Sequence, residues 1–173
     1  MSRPPTFRFP RGSGRRRAIV LTISDRCARG ERRDASGPLL ADRLRACGFD
    51  VVATAVVPDH RATIAVALRA AARAAALVLS TGGTGCGPRD VTPEATARVL
   101  DRLAPGLSEA MRSAGARTEP RAWLSRGIAG LRGASLILNL PGSPAGAAAS
   151  LDAVLDLLPH ALDSAAGADH GNN

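Results

Sequence analysis

The chain has 173 residues, of which 45% are hydrophobic and 22% are charged, and this balance excludes a disordered chain and a membrane-embedded one. No apolar run reaches the roughly 18 residues of a membrane-spanning helix. Three cysteines without a C-x-x-C pair argue against a secreted disulfide scaffold and a structural metal, so we expect one soluble domain with an aliphatic core in a reducing cytoplasm.

The net charge of +8 is concentrated at the amino terminus. Residues 1–17 contain six arginines and no acid, whereas residues 18–173 carry 17 arginines against 15 acidic residues, a net charge of +2. We predict a disordered arginine-rich tail over 1–16, one domain over 17–162 and a flexible tail over 163–173. A basic tail can contact nucleic acid or anionic lipid non-specifically, but no repeated aromatic platform accompanies these arginines, so we expect neither specific nucleic-acid binding nor membrane binding.

The first half of the chain alternates between short β-branched runs and segments with a helical period. A strand buried on both faces is predicted at Arg17–Ser24, and a helix is predicted over 36–47 before a glycine stop. Asp50–Val57 predicts a second strand. Asp59 then stands where an N-cap belongs, before an alanine-rich helix over 60–74.

The second half continues the alternation, with Thr92-Pro93-Glu94 predicted to open a helix through a capping hydroxyl, a first-turn proline and an acid. The predicted elements are a strand at 76–80, a helix from Thr92 to about Leu103, a helix over 105–117, an edge strand at 128–131, a strand at 136–140 and a helix over 145–158. This order predicts an α/β three-layer sandwich with a mostly parallel central sheet.

In such sheets, ligands bind beyond the carboxyl ends of the strands. Four segments of this chain follow predicted strands, and we expect them to meet on one rim of the sheet. They are Ser24-Asp25-Arg26, Pro58-Asp59, Thr81–Asp90 and Pro141-Gly142-Ser143.

The loop that follows the third strand is rich in glycine, with four glycines in the six residues from Gly82 to Gly87. Without Cβ atoms in the way, its backbone N–H groups can point inward at an anion, which predicts a phosphate-binding loop. It lacks the G-K-[ST] ending of a Walker loop and does not read as a dinucleotide-binding G-x-G-x-x-G. The alternative is a mobile glycine turn that binds nothing.

Two carboxylates flank this loop and are candidate ligands for Mg²⁺ bound to a triphosphate. Asp59 has the alternative of a plain N-cap, whereas Asp90 has no such alternative because Thr92 is expected to cap the next helix. For Asp25 two roles are possible, an Asx turn and a polar contact to ligand. For Ser143 two roles are also possible, an N-cap and a hydroxyl that binds a second phosphate.

Five segments in order over residues 17–160 closely resemble the Mog/MoaB family. They are I-S-D-R at 23–26, V-P-D at 57–59, T-G-G-T-G…P-R-D-V-T-P-E-A at 81–95, P-G-L-S-E-A-M-R at 105–112 and L-N-L-P-G-S-P at 138–144. The resemblance implies the molybdopterin-binding fold and a molybdopterin adenylyltransferase that activates molybdopterin with Mg-ATP before molybdate insertion. It also implies a homotrimer, with the molybdate-inserting enzyme as a further partner.

Carried over by position, Asp59 and Asp90 match the acidic residues held to be essential for adenylylation, and Thr81–Gly85 and Ser143 match the segments that hold the pterin and its phosphate. The predicted substrate- and nucleotide-binding residues are Ser24, Asp25, Thr81, Gly82, Gly83, Thr84, Gly85, Pro141, Gly142 and Ser143. One alternative is a molybdopterin-binding or assembly protein of the same fold without catalysis. Trp123, the single tryptophan, is predicted either to cover its own core or to anchor a contact between chains.

Overall fold

The computed structural model of the chain describes residues 7–9 and 16–167. The strands are β1 Arg17–Ile23, β2 Asp50–Val57, β3 Leu77–Thr81, β4 Arg102–Leu103, β5 Ala129–Arg132 and β6 Ser135–Leu140. The helices are α1 Asp25–Ala28, α2 Ser36–Ala46, α3 Arg61–Ala72, α4 Thr92–Ala97, α5 Pro105–Ala116, α6 Pro144–Asp152 and α7 Leu158–Ala165, with 3₁₀ turns at Pro120–Leu124 and Leu155–Leu157.

Within the described residues the strands form one six-stranded sheet in the order β2-β1-β3-β6-β5-β4. Strands β2, β1, β3 and β6 run parallel, whereas β5 is antiparallel to β6 and β4 is antiparallel to β5. The four parallel strands therefore end on the same rim, which is the condition under which the segments that follow them can form one site.

Helices cover both faces of the sheet, because side chains of each central strand alternate between two cores. Ala18 and Val20 of β1 pack with α2, α5, α6 and α7, whereas Ile19 and Leu21 pack with α3 and α4. All four of these side chains are fully buried. The predicted three-layer α/β sandwich with a mostly parallel sheet is confirmed.

Two predictions for the middle of the chain are wrong, the end of one helix and the edge position of one strand. Helix α4 ends at Ala97 instead of Leu103, because Arg102 and Leu103 pair with Leu131 and Gly130 as a short strand. Strand β5 is consequently not an edge strand, since β4 lies outside it. The local sequence of this segment favours a helix, but its pairing with a distant strand decides its conformation, and no local pattern predicts that pairing.

The predicted helix over 145–158 is wrong at its end, because α6 stops at Asp152 and a 3₁₀ turn at Leu155–Leu157 separates it from α7. Pro159 stands in the first turn of α7, where its ring is tolerated, whereas in the interior of a longer helix it would clash with the preceding turn. Helix α7 runs to Ala165, three residues into the segment predicted to be a tail. Within the described part of the chain, no helix is both long enough and apolar enough to cross a membrane.

Part of the predicted amino-terminal tail packs on the domain. Phe7 and Phe9 are half-buried, stack with a ring-centroid distance of 6.4 Å, and lie against the core on the α3 side of the sheet. The arginine pattern gave no indication of this contact. The remaining residues of the segment 1–15 and residues 168–173 lie outside the described residues, so the tail predictions there stay predictions.

Candidate functional site

The segments that follow β1, β2, β3 and β6 are joined directly by hydrogen bonds. Ser24 N donates to the carbonyl of Val57 at 2.9 Å, linking the ends of β1 and β2. The Thr81 hydroxyl donates to the Pro141 carbonyl at 2.6 Å, linking the ends of β3 and β6. The structure thus brings the four predicted segments together on one rim.

Gly82 shows why the glycine-rich loop begins as it does. Its φ is +104°, and a Cβ at this position would overlap the backbone carbonyl oxygen of Ile23. Its N–H donates to the carbonyl of Leu140 at 3.1 Å. Only glycine accepts both this conformation and this approach, and the loop is therefore held tightly between β1 and β6.

Asp25 and Asp59 hold each other across 34 residues of sequence. Asp25 N donates to Asp59 Oδ2 at 2.7 Å, and Asp59 N donates to Asp25 Oδ1 at 3.0 Å. Arg89 of the glycine-rich loop also pairs with Asp25 Oδ2. The Asx-turn alternative for Asp25 is therefore wrong, since its carboxylate accepts from a distant segment.

The N-cap alternative for Asp59 is also wrong. The N-cap of α3 is His60, and no side chain caps that helix. Thr92 is likewise not the cap of α4, because Val91 occupies that position and the Thr92 hydroxyl donates to the Gly82 carbonyl at 2.9 Å. In both places a contact with another part of the chain has replaced the expected local hydrogen bond.

Asp90 folds back over the glycine-rich loop. Its Oδ2 accepts from Gly87 N at 2.9 Å, and a Cβ on Gly85 would stand 2.9 Å from the same oxygen. A Cβ on Gly83 would stand 3.1 Å from Asp59 Oδ1. Gly83 and Gly85 therefore have a second role besides exposing N–H groups to an anion, because the absence of a Cβ leaves space for the carboxylates of Asp59 and Asp90.

The two carboxylates lie close enough to influence each other. Burial raises the pKa of Asp59, and the negative charge of Asp90 raises it further. A pair of this kind favours a cation beside it, because the cation relieves the repulsion between the two charges.

Asp59 and Asp90 meet the requirements of a Mg²⁺ site that is completed by substrate. Within the described residues, Asp59 Oδ1 and Asp90 Oδ1 have no hydrogen-bond donor, so each carboxylate keeps one oxygen available. The described part of the chain contains no cluster of three or more His, Cys, Asp or Glu residues that could hold a metal ion. Mg²⁺ is commonly bound by one or two carboxylates together with water and substrate phosphates, and these two residues fit that pattern.

Two cavities meet at this rim and share Gly83, Asp90, Gly142 and Ser143 in their walls. The first cavity has a volume of about 370 Å³, and the second has a volume of about 650 Å³. The other predicted residues that line the first are Ser24, Asp59, Thr81 and Gly82, and those that line the second are Thr84, Gly85 and Pro141. Asp90 therefore stands where groups bound in the two cavities would face each other.

The two predicted serines both act as caps. Ser24 Oγ accepts from Cys27 N at 3.2 Å and starts α1, a single turn that the sequence analysis missed. Ser143 Oγ accepts from Gly146 N at 3.2 Å and starts α6. A capping hydroxyl can still donate its proton, and Ser143 is exposed to the cavities, so its predicted contact with phosphate stays a prediction.

Sequence reasoning missed three arginines at the site. Arg32 and Arg33 precede α2 and line the first cavity, and Arg126 holds the glycine-rich loop. The run of two arginines in a polar connection was a visible signal for the first pair. Arg126 gave no signal, because its contacts lie 32 to 42 residues away in the chain.

Comparison with known proteins identifies a protein family that matches most of this chain. The family model described as a probable molybdopterin binding domain matches residues 19–160. The chain belongs to this family. A molybdopterin adenylyltransferase from Helicobacter pylori J99 is 38% identical over 148 residues, covering 83% of this chain and 84% of that protein. Together with the solved MoaB and Mog structures described next, these matches confirm the predicted resemblance to the Mog/MoaB family.

Longer proteins also contain the domain. A molybdenum cofactor biosynthesis bifunctional protein from Synechococcus elongatus is 42% identical over 155 residues, and the chain spans about half of its length. Among solved structures, a MoaB protein from Thermus thermophilus is 51% identical with a TM-score of 0.83, covering 87% of this chain and 96% of that one. A Mog protein from Mycobacterium ulcerans is 42% identical with a TM-score of 0.82, covering 87% and 99%.

Proposed function

We propose that the chain is a molybdopterin adenylyltransferase that transfers AMP from Mg-ATP to the terminal phosphate of molybdopterin. The observation that carries the proposal is the position of Asp90, which lies in the wall shared by two cavities and beside Asp59. The relatives named molybdopterin adenylyltransferase support the substrate assignment.

In this reaction a phosphate oxygen of molybdopterin attacks the α-phosphorus of ATP. A new P–O bond forms between this oxygen and the α-phosphorus. The bond between the α-phosphorus and the oxygen that it shares with the β-phosphorus breaks, and pyrophosphate leaves with that electron pair. Such a transfer depends on alignment and charge neutralisation and needs no covalent intermediate on the protein. Mg²⁺, when bound, neutralises phosphate charge, and Asp59 and Asp90 are the residues that would hold it.

The charges of the two cavities suggest how ATP is oriented. Arg32 and Arg33 line the first cavity, are exposed, and make no ion pair with any other described residue. The second cavity has Arg121, but this arginine is paired with Glu119. We therefore assign the β- and γ-phosphates of ATP to the first cavity, because free guanidinium groups bind phosphate oxygens strongly.

The test is pyrophosphate release from ATP in the presence of Mg²⁺ and molybdopterin. Wild-type protein should release pyrophosphate only when both substrates are present, and Asp90→Asn should reduce the rate by about 100-fold or more because an electrostatic contact in the transition state is removed. Asp42→Asn on α2 is the matched control, because it also replaces a carboxylate with an amide but at an exposed position that lines neither cavity, and it should leave the rate unchanged. A wild-type rate no higher than that of Asp90→Asn would refute the catalytic proposal.

Calorimetry separates catalysis from binding alone. Heat from molybdopterin, with none from Mg-ATP, would favour the alternative of a molybdopterin-binding or assembly protein.

The homotrimer, the molybdate-inserting partner and the lack of specific nucleic-acid binding stay predictions. A reducing cytoplasm also stays a prediction, with which the free thiols of Cys27, Cys47 and Cys86 agree.

A further inference from the structure

Arg126 lies outside the segments that carry the family resemblance, yet it contacts the middle and the end of the glycine-rich loop Thr81–Asp90. Its backbone N–H donates to the carbonyl of Thr84 at 2.8 Å, and its Nε donates to the carbonyl of Gly85 at 2.7 Å. Its Nη2 donates to the carbonyl of Asp90 at 2.5 Å. One guanidinium therefore ties together the two ends of the segment 85–90.

The third corner of the guanidinium is anchored on helix α4. Arg126 Nη1 pairs with Glu94 Oε1, and Glu94 stands in the first turn of that helix. The hydrogen bond from Arg126 lowers the pKa of Glu94 and in return raises the pKa of Arg126, so both groups remain charged at neutral pH. The planar fork of an arginine suits this task, because it can donate in several fixed directions at once.

The backbone of Arg126 is itself held by a second arginine. Arg112 of α5 donates from Nη1 to the carbonyl of Gly127 at 2.9 Å and to that of Ser125 at 3.4 Å, on either side of Arg126. This contact gives a role to the arginine that ends the segment P-G-L-S-E-A-M-R. Residues Leu124 and Ser125 also form part of the wall of the second cavity.

The same short segment thus borders the second cavity and holds the loop that carries Asp90. Asp90 Oδ2 accepts from Gly87 N, which lies inside the tied segment, so the direction of the carboxylate depends on how that segment is folded. If the tie were absent, the loop and the cavity wall could shift relative to each other.

We propose that Arg126 is a positioning residue that aligns the Asp90 carboxylate with the group bound in the second cavity. The inference rests on the proposed adenylyl transfer for its catalytic consequence. It concerns alignment of the reacting groups, so loss of Arg126 should slow the chemical step and leave ATP binding in the first cavity largely intact.

The first experiment measures kcat and KM for Arg126→Gln and for Arg43→Gln. Arg126→Gln should lower kcat by about 100-fold, because a displacement of about 1 Å at reacting groups has an effect of this size, and should change the KM for ATP by less than about threefold. Arg43→Gln is the matched control, since it removes the surface pair of Arg43 with Asp152 and lines neither cavity. Its kcat should equal that of wild type.

Two further variants separate positioning from general damage to the fold. Arg126→Lys keeps the charge opposite Glu94 but cannot bridge Gly85 and Asp90, so its kcat should fall between those of wild type and Arg126→Gln. Millimolar guanidinium chloride should partly restore kcat in Arg126→Ala and have no such effect on wild type, because the side chain of Arg126 is 39% exposed and leaves an accessible gap.

The second experiment needs no activity. Hydrogen exchange at the amides of Gly87 and Asp90 should become about tenfold faster or more in Arg126→Gln and stay unchanged in Arg43→Gln, since local opening controls exchange. Unchanged exchange in Arg126→Gln would overturn the proposal, and so would a normal kcat in an active wild-type background. If wild type released no pyrophosphate, the proposed function would fail and exchange alone would decide the role of Arg126.

Discussion

Asn139 and Ser135 are two buried polar residues of β6 with opposite hydrogen-bonding states. Asn139 Nδ2 donates to Ser80 Oγ and to Thr96 Oγ1, both at 2.9 Å, and Asn139 Oδ1 accepts from Ile128 N at 3.3 Å. Asn139 thereby connects β3, β6, α4 and the segment before β5, immediately ahead of the turn that lines both cavities. Ser135 Oγ is buried and has no hydrogen-bond partner within the described residues.

We expect the substitution Asn139→Ala to lower the free energy of unfolding by about 3 kcal/mol, since it removes three hydrogen bonds that each contribute about 1 kcal/mol. For a chain of this size the melting temperature should fall by about 6–12 °C. Ser135→Ala is the matched control and should leave stability within about 0.5 kcal/mol of wild type or raise it, because no hydrogen bond is lost and a buried unpaired hydroxyl is removed.

The measurement is urea unfolding followed by far-ultraviolet circular dichroism, with the slope m compared among the three proteins. An equal m would show that the midpoints report stability alone. A loss below about 1 kcal/mol for Asn139→Ala, or a loss no larger than that of Ser135→Ala, would refute the reasoning that satisfied hydrogen bonds distinguish these positions.

Three further predictions concern charge and assembly. Because the folded-state pKa of Asp59 is raised, its ionised form costs stability at neutral pH, so Asp59→Asn should raise the free energy of unfolding at pH 7, and the gain should disappear as the pH falls towards the ordinary value of 3.8. Unfolding of both proteins across this pH range checks it, and a variant that is less stable at pH 7 would contradict it. Arg32→Gln combined with Arg33→Gln should raise the KM for ATP about tenfold or more and leave the Kd for molybdopterin unchanged, as measured by initial rates and calorimetry. Trp123 is 60% exposed, so it does not cover its own core, and light scattering of Trp123→Ala should show fewer trimers than wild type if this residue anchors the interface. A wild-type monomer would contradict the predicted trimer, and an unchanged trimer in the variant would exclude Trp123.

Local patterns were sufficient for the layers of this fold. The run from Ala18 to Ile23 is apolar at every position except Thr22, and such a run is expected where both faces of a strand are covered. Pro105 marked the start of α5, because proline is tolerated in a first helical turn. The positions of the site segments followed from the order of the elements, since parallel strands end on one rim.

Contacts between distant segments decided the rest. Three contacts illustrate this, and each joins residues at least 27 positions apart. They are the reciprocal hydrogen bonds of Asp25 and Asp59, the strand pairing that follows α4, and the hydrogen bond from Arg126 to Asp90. Composition and periodicity reflect only how residues interact with their neighbours in the sequence. They do not indicate which distant residue a side chain will contact, because the folded sheet decides that contact. The sequence alone therefore determined which segments meet at the candidate site, whereas the tertiary structure determined which carboxylate oxygens have no hydrogen-bond donor among the described residues and what holds these carboxylates in place.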